Sequence, residues 1–226
     1  MIFQNLSTLR HSSTKMILSS SADLGFRIYS HGVNQAYLQS KDQLTRDVYF
    51  RPKARDAKYF GLHDTEVLRL HKPLYGIPDA GDYRDVTVSD HVKNDVGMSA
   101  LTSDPALFVK EGVDGTEGLL GACVDDFVIG GSEAFQDLTL QTPELIEAKP
   151  REWDRMDLIG VSINTVSELG QTFTCDQLGY SKAATTLKLD TDYDTFASAR
   201  AAIAWIAHSR PDFLCAINRA AQATAS

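Results

Sequence analysis

The feature that most constrains this 226-residue sequence is an apolar stretch with two adjacent aspartates at its centre. Residues 119–131 are otherwise apolar residues or glycine, and Asp125 and Asp126 interrupt them. The stretch is shorter than the roughly 20 apolar residues that span a bilayer, and two central charges oppose burial in lipid. The pattern therefore predicts two short buried strands, residues 119–124 and 127–129, with the acids at the tip of the hairpin between them.

The neighbouring segments extend this hairpin into a larger antiparallel sheet. Residues 106–110 predict a preceding strand, and a polar turn containing Asp114-Gly115 separates it from the hairpin. Together the three strands indicate a meander. Two more strand regions are expected, a strand at residues 25–30 and a further hairpin built from residues 158–163 and 171–174.

One helix is predicted directly before the meander. Val88, Val92 and Val96 recur every four residues, which places them on one helix face, and Gly97 is a plausible end. The C-terminal part is also predicted to be helical, over residues 199–208 and 212–223. The opening segment, residues 5–21, is rich in Ser and Thr and is expected to be loose.

Composition indicates a soluble, folded protein inside a cell. The hydrophobic fraction of 43% suffices for a sizeable core, and the charged fraction of 23% argues against disorder. No signal peptide and no apolar run of membrane-spanning length is visible, so no membrane partner is expected. The three cysteines, Cys123, Cys175 and Cys215, are too far apart for a zinc motif, and we expect them to be reduced.

The net charge of −8 counts against tight, self-sufficient binding of nucleic acid, because phosphate contacts need clustered cations. Any such function must depend on a local basic surface. A solvated charged loop is the alternative interpretation of the densest basic stretch, which comprises Arg46, Arg51, Lys53, Arg55, Lys58, Arg69 and Lys72.

The adjacent carboxylates of Asp125 and Asp126 are the strongest candidates for chemistry. Two neighbouring carboxylates repel each other unless a cation or a proton intervenes. Hard divalent cations such as Mg²⁺ bind through one or two carboxylates together with substrate phosphates. The pair therefore predicts a metal site for phosphoryl transfer, and a solvent-exposed turn is the alternative.

Four motifs in order along the chain resemble those of copia-type retrotransposon reverse transcriptases. VNQAYLQS at residues 33–40 resembles the end of the family's first palm motif, and KPLYGIP with DAGDY at 72–83 resembles the second. The Val124-Asp125-Asp126 tip is similar to the catalytic hairpin. SRPD at 209–212 with AIN at 216–218 is similar to a region beyond the thumb, and LIGVSI at 158–163 adds a weaker match.

This resemblance implies an RNA-directed DNA polymerase that acts on an RNA or DNA template–primer and a deoxynucleoside triphosphate. It implies that Asp125 and Asp126 are catalytic and hold Mg²⁺ or Mn²⁺. It further implies that Tyr37 is a steric gate against the ribose 2′-hydroxyl, that Gly76 and Asp79 line the nucleotide, and that Lys149 stands near a lysine that protonates the leaving group. The alternative for Tyr37 is an aromatic residue of the core. The alternative for the loop around Gly76 and Asp79 is a tight turn, and for Lys149 it is a surface lysine.

The sequence departs from the family at the position that would complete the metal site. The family places an aspartate immediately before the residue matching Val33, and here that position is Gly32. Cys123, Arg84 and Ile159 also stand where the family has aromatic residues, and we expect the first two to remove aromatic surface that would pack or stack. Little or no polymerase activity is therefore expected, and a non-catalytic nucleic-acid-binding or remnant domain is the alternative function.

The expected architecture is α+β, a reverse-transcriptase palm with an antiparallel sheet backed by helices. Residues 1–150 would form partial fingers and the palm, and residues 151–226 a helical region resembling a thumb or connection. We expect a piece cut short at both ends, without the family's upstream fingers strand and its RNase H domain. A hydrolase is rejected, because Asp114-Gly115-Thr116 has the wrong order for an aspartic protease and no serine elbow or zincin helix is present.

Overall fold

The computed structural model describes residues 8–63, 65–141, 151–158, 160–166, 172–178 and 182. Within these residues it is a mixed α/β structure in which all strand pairs are antiparallel. Its helices are α1 (His11–Leu24), α2 (Ala54–Ala57), a 3₁₀ turn (Lys58–Phe60), α3 (Ala80–Asn94) and α4 (Glu133–Gln141). The α+β class expected from the sequence is confirmed at this level.

A six-stranded sheet forms the centre of the structure, with the strand order β4-β5-β6-β7-β1-β8. Its strands are β1 (Arg27–Gly32), β4 (Ser99–Ala100), β5 (Leu107–Gly112), β6 (Gly115–Cys123), β7 (Asp126–Gly131) and β8 (Glu152–Trp153). The predicted meander is β5-β6-β7, and the predicted strand at residues 25–30 is β1 shifted by two residues. The central sheet extends past residue 150, because β8 pairs with β1. The division into two regions at residue 150 stays a prediction.

Two smaller sheets complete the described strands. One pairs β2 (Val48–Phe50) with β3 (Leu68–Leu70). The other has the order β11-β10-β9 and consists of β9 (Arg155–Leu158), β10 (Val161–Thr165) and β11 (Phe173–Asp176). The prediction of one strand over residues 158–163 is wrong, because Gly160 adopts a φ of 72° and turns the chain between β9 and β10. The partner strand, predicted at residues 171–174, is found as β11 with a shift of two residues.

Side chains alternate between two cores on opposite faces of the central sheet, as the period of two in strands requires. Ile28 and Val128 belong to the core that includes Ile17 of α1. Tyr29 and Phe127 belong to the other core, which also contains Val88, Val92 and Val96 together with Phe135 of α4. The predicted valine repeat is thus buried, but α3 ends at Asn94, so Val96 follows the helix, and Gly97 comes next with a φ of 72°.

The expectation of a loose opening segment is wrong for its described part, because α1 begins at His11. Its residues are mostly weak helix formers, but tertiary packing overrides such propensities. Ile17 is fully buried, and Ser21 is fully buried on the same side of the helix. Gly25 then ends α1 in the left-handed conformation with a φ of 67°.

The helices predicted at residues 199–208 and 212–223 lie outside the described residues. No helix within the described ranges is long and apolar enough to cross a membrane.

Candidate metal site

The two candidate aspartates lie at a tight hairpin between β6 and β7. Cys123 pairs with Asp126, and the two residues between them, Val124 and Asp125, form the turn. Two-residue hairpins commonly use turns with positive φ, supplied by glycine or asparagine. Neither Val124 nor Asp125 has a positive φ, because among the described residues only Gln35 and Asp154 combine a side chain with a positive φ. Asp125 therefore sits at the tip without the relaxed turn chemistry that a purely structural hairpin prefers.

Gly32 lies directly opposite Asp126 in the neighbouring strand. The two residues are register partners in the antiparallel β1–β7 pair, and the amide of Val33 donates to the carbonyl oxygen of Asp125 at 2.6 Å. In such pairs the Cβ atoms of facing residues are about 4.5–5.5 Å apart. A carboxylate at position 32 would thus be a neighbour of the Asp126 side chain.

Asp125 and Asp126 share the hairpin but have different neighbours. The hydroxyl of Tyr75 donates to Oδ2 of Asp125, while Oδ1 of Asp125 is buried without a hydrogen-bond partner. Burial, followed by the negative charge of Asp126, raises the pKa of the Cys123 thiol to about 12. Asp126 is the register partner of Cys123, so its side chain lies on the same face of the sheet. Asp125 instead contacts the loop that carries Tyr75.

Tyr37 lies beside the Asp125 carboxylate. It is buried, and its ring meets that of Tyr75 in an edge-on contact with centroids 4.5 Å apart. Burial and then the charge of Asp125 raise the pKa of Tyr37. The structure thus brings Tyr37, Tyr75 and Asp125 together, although no sequence pattern singled out Tyr75.

The other predicted nucleotide contacts are less closely gathered. Gly76 follows Tyr75 with a φ of 94°, a conformation that favours glycine, and a Cβ there would meet no atom within 4 Å. Asp79 forms a two-point ion pair with Arg46, with distances of 3.0 and 2.7 Å, and this bond holds the pKa of Asp79 below its ordinary value. Lys149 lies outside the described residues.

Arg84 is a site residue whose role the sequence did not predict. Its side chain is 3% exposed, its guanidinium lies 5.6 Å from the centre of the Phe127 ring, and it donates to the Cys123 carbonyl at 3.5 Å and to Asp85 at 3.1 Å. Position 84 therefore lacks the aromatic surface that the family has, as expected, and the buried guanidinium packs over Phe127 in its place. The four-residue repeat of α3 could have indicated that Arg84 is buried, because Arg84 lies four residues before Val88 on the same helix face.

The hairpin supplies two carboxylates toward a divalent cation, which are too few for a pair of metal ions. No group of three or more His, Cys, Asp or Glu side chains suited to a metal occurs among the described residues. Asp125 and Asp126 supply carboxylates on one hairpin, which is the number a magnesium ion takes when phosphate and water fill its remaining positions. A two-metal pair needs bridging ligands that Gly32 does not provide.

Comparisons with known proteins leave the family open. No family model matches the sequence, and no curated protein matches it. A solved structure of telomerase from Candida albicans, in a complex with the TWJ fragment of telomeric RNA, aligns with a TM-score of 0.39 and 10% identity over 96% of this chain. The chain spans 44% of that telomerase chain. A likeness this weak carries no argument, so the interpretation depends on the geometry of the hairpin.

Proposed function

We propose that this chain is the RNA-directed DNA polymerase domain of a copia-type retrotransposon polyprotein, with an incomplete metal site. The observation that carries the proposal is the pairing of Gly32 with Asp126. The sequence motifs require a third carboxylate at position 32, next to the hairpin acids, and that position is adjacent to them in space. The central antiparallel sheet would then be the palm, backed by α3 and α4 on one face.

In this proposal Asp125 and Asp126 hold Mg²⁺ or Mn²⁺, which when bound supplies charge stabilisation for the attacking and leaving oxygens of nucleotidyl transfer. Tyr37 limits the space for a ribose 2′-hydroxyl beside Asp125. Gly76 and Asp79 line the nucleotide, and Lys149 contributes a proton to the leaving group. The partners are a template–primer and a deoxynucleoside triphosphate. An intracellular location, in the cytoplasm or the nucleus, accompanies the proposal.

The missing carboxylate implies impaired catalysis. Glycine offers no ligand atom, and loss of one member of a catalytic unit lowers turnover by roughly 10⁴ to 10⁶ in other enzymes. We therefore expect the natural chain to extend a primer at a rate close to background. The fold around the hairpin would still position a nucleic acid.

Primer extension on an RNA template with Mg²⁺ tests the proposal. The natural chain is expected to be nearly inactive, and Gly32→Asp is expected to gain incorporation that depends on Asp125. Gly32→Asn is the matched control, because it adds similar volume without a charge. Extension at a normal polymerase rate by the natural chain would contradict the proposed impairment, and no gain in Gly32→Asp would count against the polymerase assignment.

A non-catalytic nucleic-acid-binding or remnant domain is the second candidate. It is favoured by the two engaged carboxylates, since Asp125 already bonds Tyr75 and Asp79 already pairs with Arg46. A gel shift with template–primer separates a binder from an inert remnant. Retained binding, without nucleotide incorporation even by Gly32→Asp, would support this candidate.

A further inference from the structure

Asp104 is a buried carboxylate to which the polymerase proposal gives no role. It lies in the loop between β4 and β5 and is 3% exposed. Its Oδ2 atom accepts from the amide of Arg10 at 3.0 Å and from the hydroxyl of Ser13 at 2.5 Å. Its Oδ1 atom accepts from the amide of Ala106 at 3.1 Å. Burial by itself raises the pKa of Asp104, but these bonds outweigh it and lower the pKa, so the group is ionised at neutral pH.

Asp104 changes the hydrogen bonds at the end of the β5–β6 ladder. The amide of Ala122 donates to the carbonyl oxygen of Ala106 at 2.8 Å. In a regular antiparallel pair two such residues exchange both bonds, so the Ala106 amide would donate back to Ala122. That amide bonds Asp104 instead, and the carbonyl oxygen of Ala122 accepts from the amide of Leu9 at 3.1 Å. Leu9 thus replaces β5 as the partner of β6 at this position.

The side chain of Leu9 also packs against β6. Leu9 is buried, and a Cβ at Gly121 would lie 2.5 Å and 3.0 Å from its two Cδ atoms. Glycine at position 121 therefore leaves the room in which Leu9 approaches the strand. Arg10 and Ser13, which bond Asp104, are the next residues of the same segment. One carboxylate consequently holds the segment whose first described residues lie on β6.

The bond from Leu9 reaches β6 close to the tip of the β6–β7 hairpin. Ala122 is three residues before Asp125, and its register partner is Phe127, which directly follows Asp126. The carbonyl group that Leu9 bonds thus belongs to the last pair but one before the tip. A displacement at this pair would move both strands that carry the two acids.

We infer that Asp104 is a positioning residue for the carboxylates of Asp125 and Asp126, and this inference rests on the cation site of the proposed function. Asp104 acts through the backbone, because it holds the segment whose Leu9 amide bonds β6. It also keeps the Ala106 amide away from β6. Carboxylates bind a cation well only when the residues that support them hold them in place. Loss of Asp104 would free the Ala106 amide to displace Leu9.

Calorimetric titration with Mn²⁺ tests the inference, in the natural chain and in Gly32→Asp. Asp104→Ala should weaken Mn²⁺ binding by about twofold to thirtyfold, the range expected for residues coupled to a site through a packed network. Asp104→Asn keeps one acceptor oxygen without the charge, so it should lose less affinity. Ser13→Ala removes a single donor, and its smaller loss tests the same link if Asp104→Ala does not fold. The matched control is Asp114→Ala, an exposed carboxylate at the other end of the β5–β6 pair, which should leave the affinity unchanged.

Hydrogen exchange without metal tests the link from Asp104 to the hairpin separately. Asp104→Ala should speed exchange of the amides of residues 121–127 more than that of the amides of α3, since the effect is local to the hairpin. A residue with a general structural role would instead speed exchange in both regions equally. It would also lower the free energy of unfolding in urea without changing the Mn²⁺ affinity of the folded protein.

The outcomes separate this inference from the polymerase proposal. Equal exchange effects in the hairpin and α3, unchanged Mn²⁺ affinity in Asp104→Ala, or equal losses in Asp104→Ala and Asp104→Asn would each overturn the inference and leave the polymerase proposal standing. Selective loss of Mn²⁺ affinity and of hairpin protection, with no primer extension by Gly32→Asp, would support the inference and contradict the polymerase proposal. Absence of Mn²⁺ binding by both the natural chain and Gly32→Asp would contradict both.

Discussion

The hydroxyl of Tyr75 donates a hydrogen bond to Oδ2 of Asp125, joining the loop after β3 to the tip of the β6–β7 hairpin. The second oxygen of Asp125 is buried and has no hydrogen-bond partner. One carboxylate oxygen is thus engaged and the other lacks the hydrogen bond that buried polar atoms normally have. A cation bound at Asp125 would satisfy the second oxygen and compete with Tyr75 for the first.

Tyr75→Phe should therefore tighten binding of a divalent cation at the hairpin. The substitution removes the competing donor and keeps the ring that packs on Tyr37. A hydrogen bond to a charged group contributes about 1.5–3 kcal/mol, so the affinity should rise by about tenfold to a hundredfold. Calorimetric titration with Mn²⁺ measures it. The control is Tyr83→Phe, because the hydroxyl of Tyr83 bonds Thr45 and not a hairpin residue. This variant should leave the affinity unchanged.

The same contact predicts how Tyr75 responds to pH. Burial of its hydroxyl, the bond to Asp125 and the charge of Asp125 raise the pKa of Tyr75 to about 12 from the ordinary value of 10.0. Between these values the folded state binds more protons than the unfolded state, so the contribution of Tyr75 to stability is full below pH 10 and declines as the pH rises toward 12.

The absorbance of tyrosinate, taken as the difference between the natural chain and Tyr75→Phe, reports this titration. Asp125→Asn should move the midpoint back toward 10.0, because the amide carries no charge to oppose ionisation. A midpoint for Tyr75 that Asp125→Asn does not change would show that the hydroxyl and the carboxylate do not interact in solution.

The sequence predicted the hairpin and its neighbours because their signals are local. The alternation of β1, the apolar runs of β6 and β7 and the four-residue repeat of α3 each follow from which face of an element is buried. The contact of Tyr75 with Asp125 joins residues 50 positions apart. No periodicity encodes such a pair, so it could be found only from the fold.

Arg84 should contribute more to the free energy of unfolding than an exposed arginine does. Arg84→Met removes the guanidinium that stacks on Phe127 and bonds the Cys123 carbonyl, which should lower the free energy of unfolding by about 1.5–3 kcal/mol. Arg55→Met, in a surface pair whose arginine side chain is 86% exposed, should change it by less than about 1 kcal/mol. Urea denaturation measures both, and equal effects would contradict the buried role of Arg84.

The packing of α4 on the central sheet depends on two glycines that face each other in neighbouring strands. Gly118 and Gly131 are register partners, and a Cβ on either would overlap the buried ring of Phe135. Gly131→Ala should therefore destabilise the fold by about 1–3 kcal/mol through overpacking. Gly112→Ala is the control, because the Glu117 side chain that its Cβ would meet is flexible and can move away. Thermal unfolding of the two variants should differ, and similar melting temperatures would argue against this packing.

These glycines and α1 show where sequence reasoning failed. The helix α1 has weak helix formers and no side-chain cap, and its stability comes from Ile17 and Leu18 packing on the sheet. Gly118 and Gly131 resemble strand weaknesses in the sequence, but in the fold they make room for one ring. Both effects arise from partners distant in sequence.

Calorimetric titration of Mn²⁺ into the natural chain, Gly32→Asp and Gly32→Asn tests the central claim most directly. Because Gly32 faces Asp126, a carboxylate there adds a ligand, and the affinity of Gly32→Asp should exceed that of both other proteins by at least about tenfold. The gain should disappear when Asp126→Asn is added. Equal Mn²⁺ affinity in all three folded proteins would contradict the claim that Gly32 occupies the missing metal position.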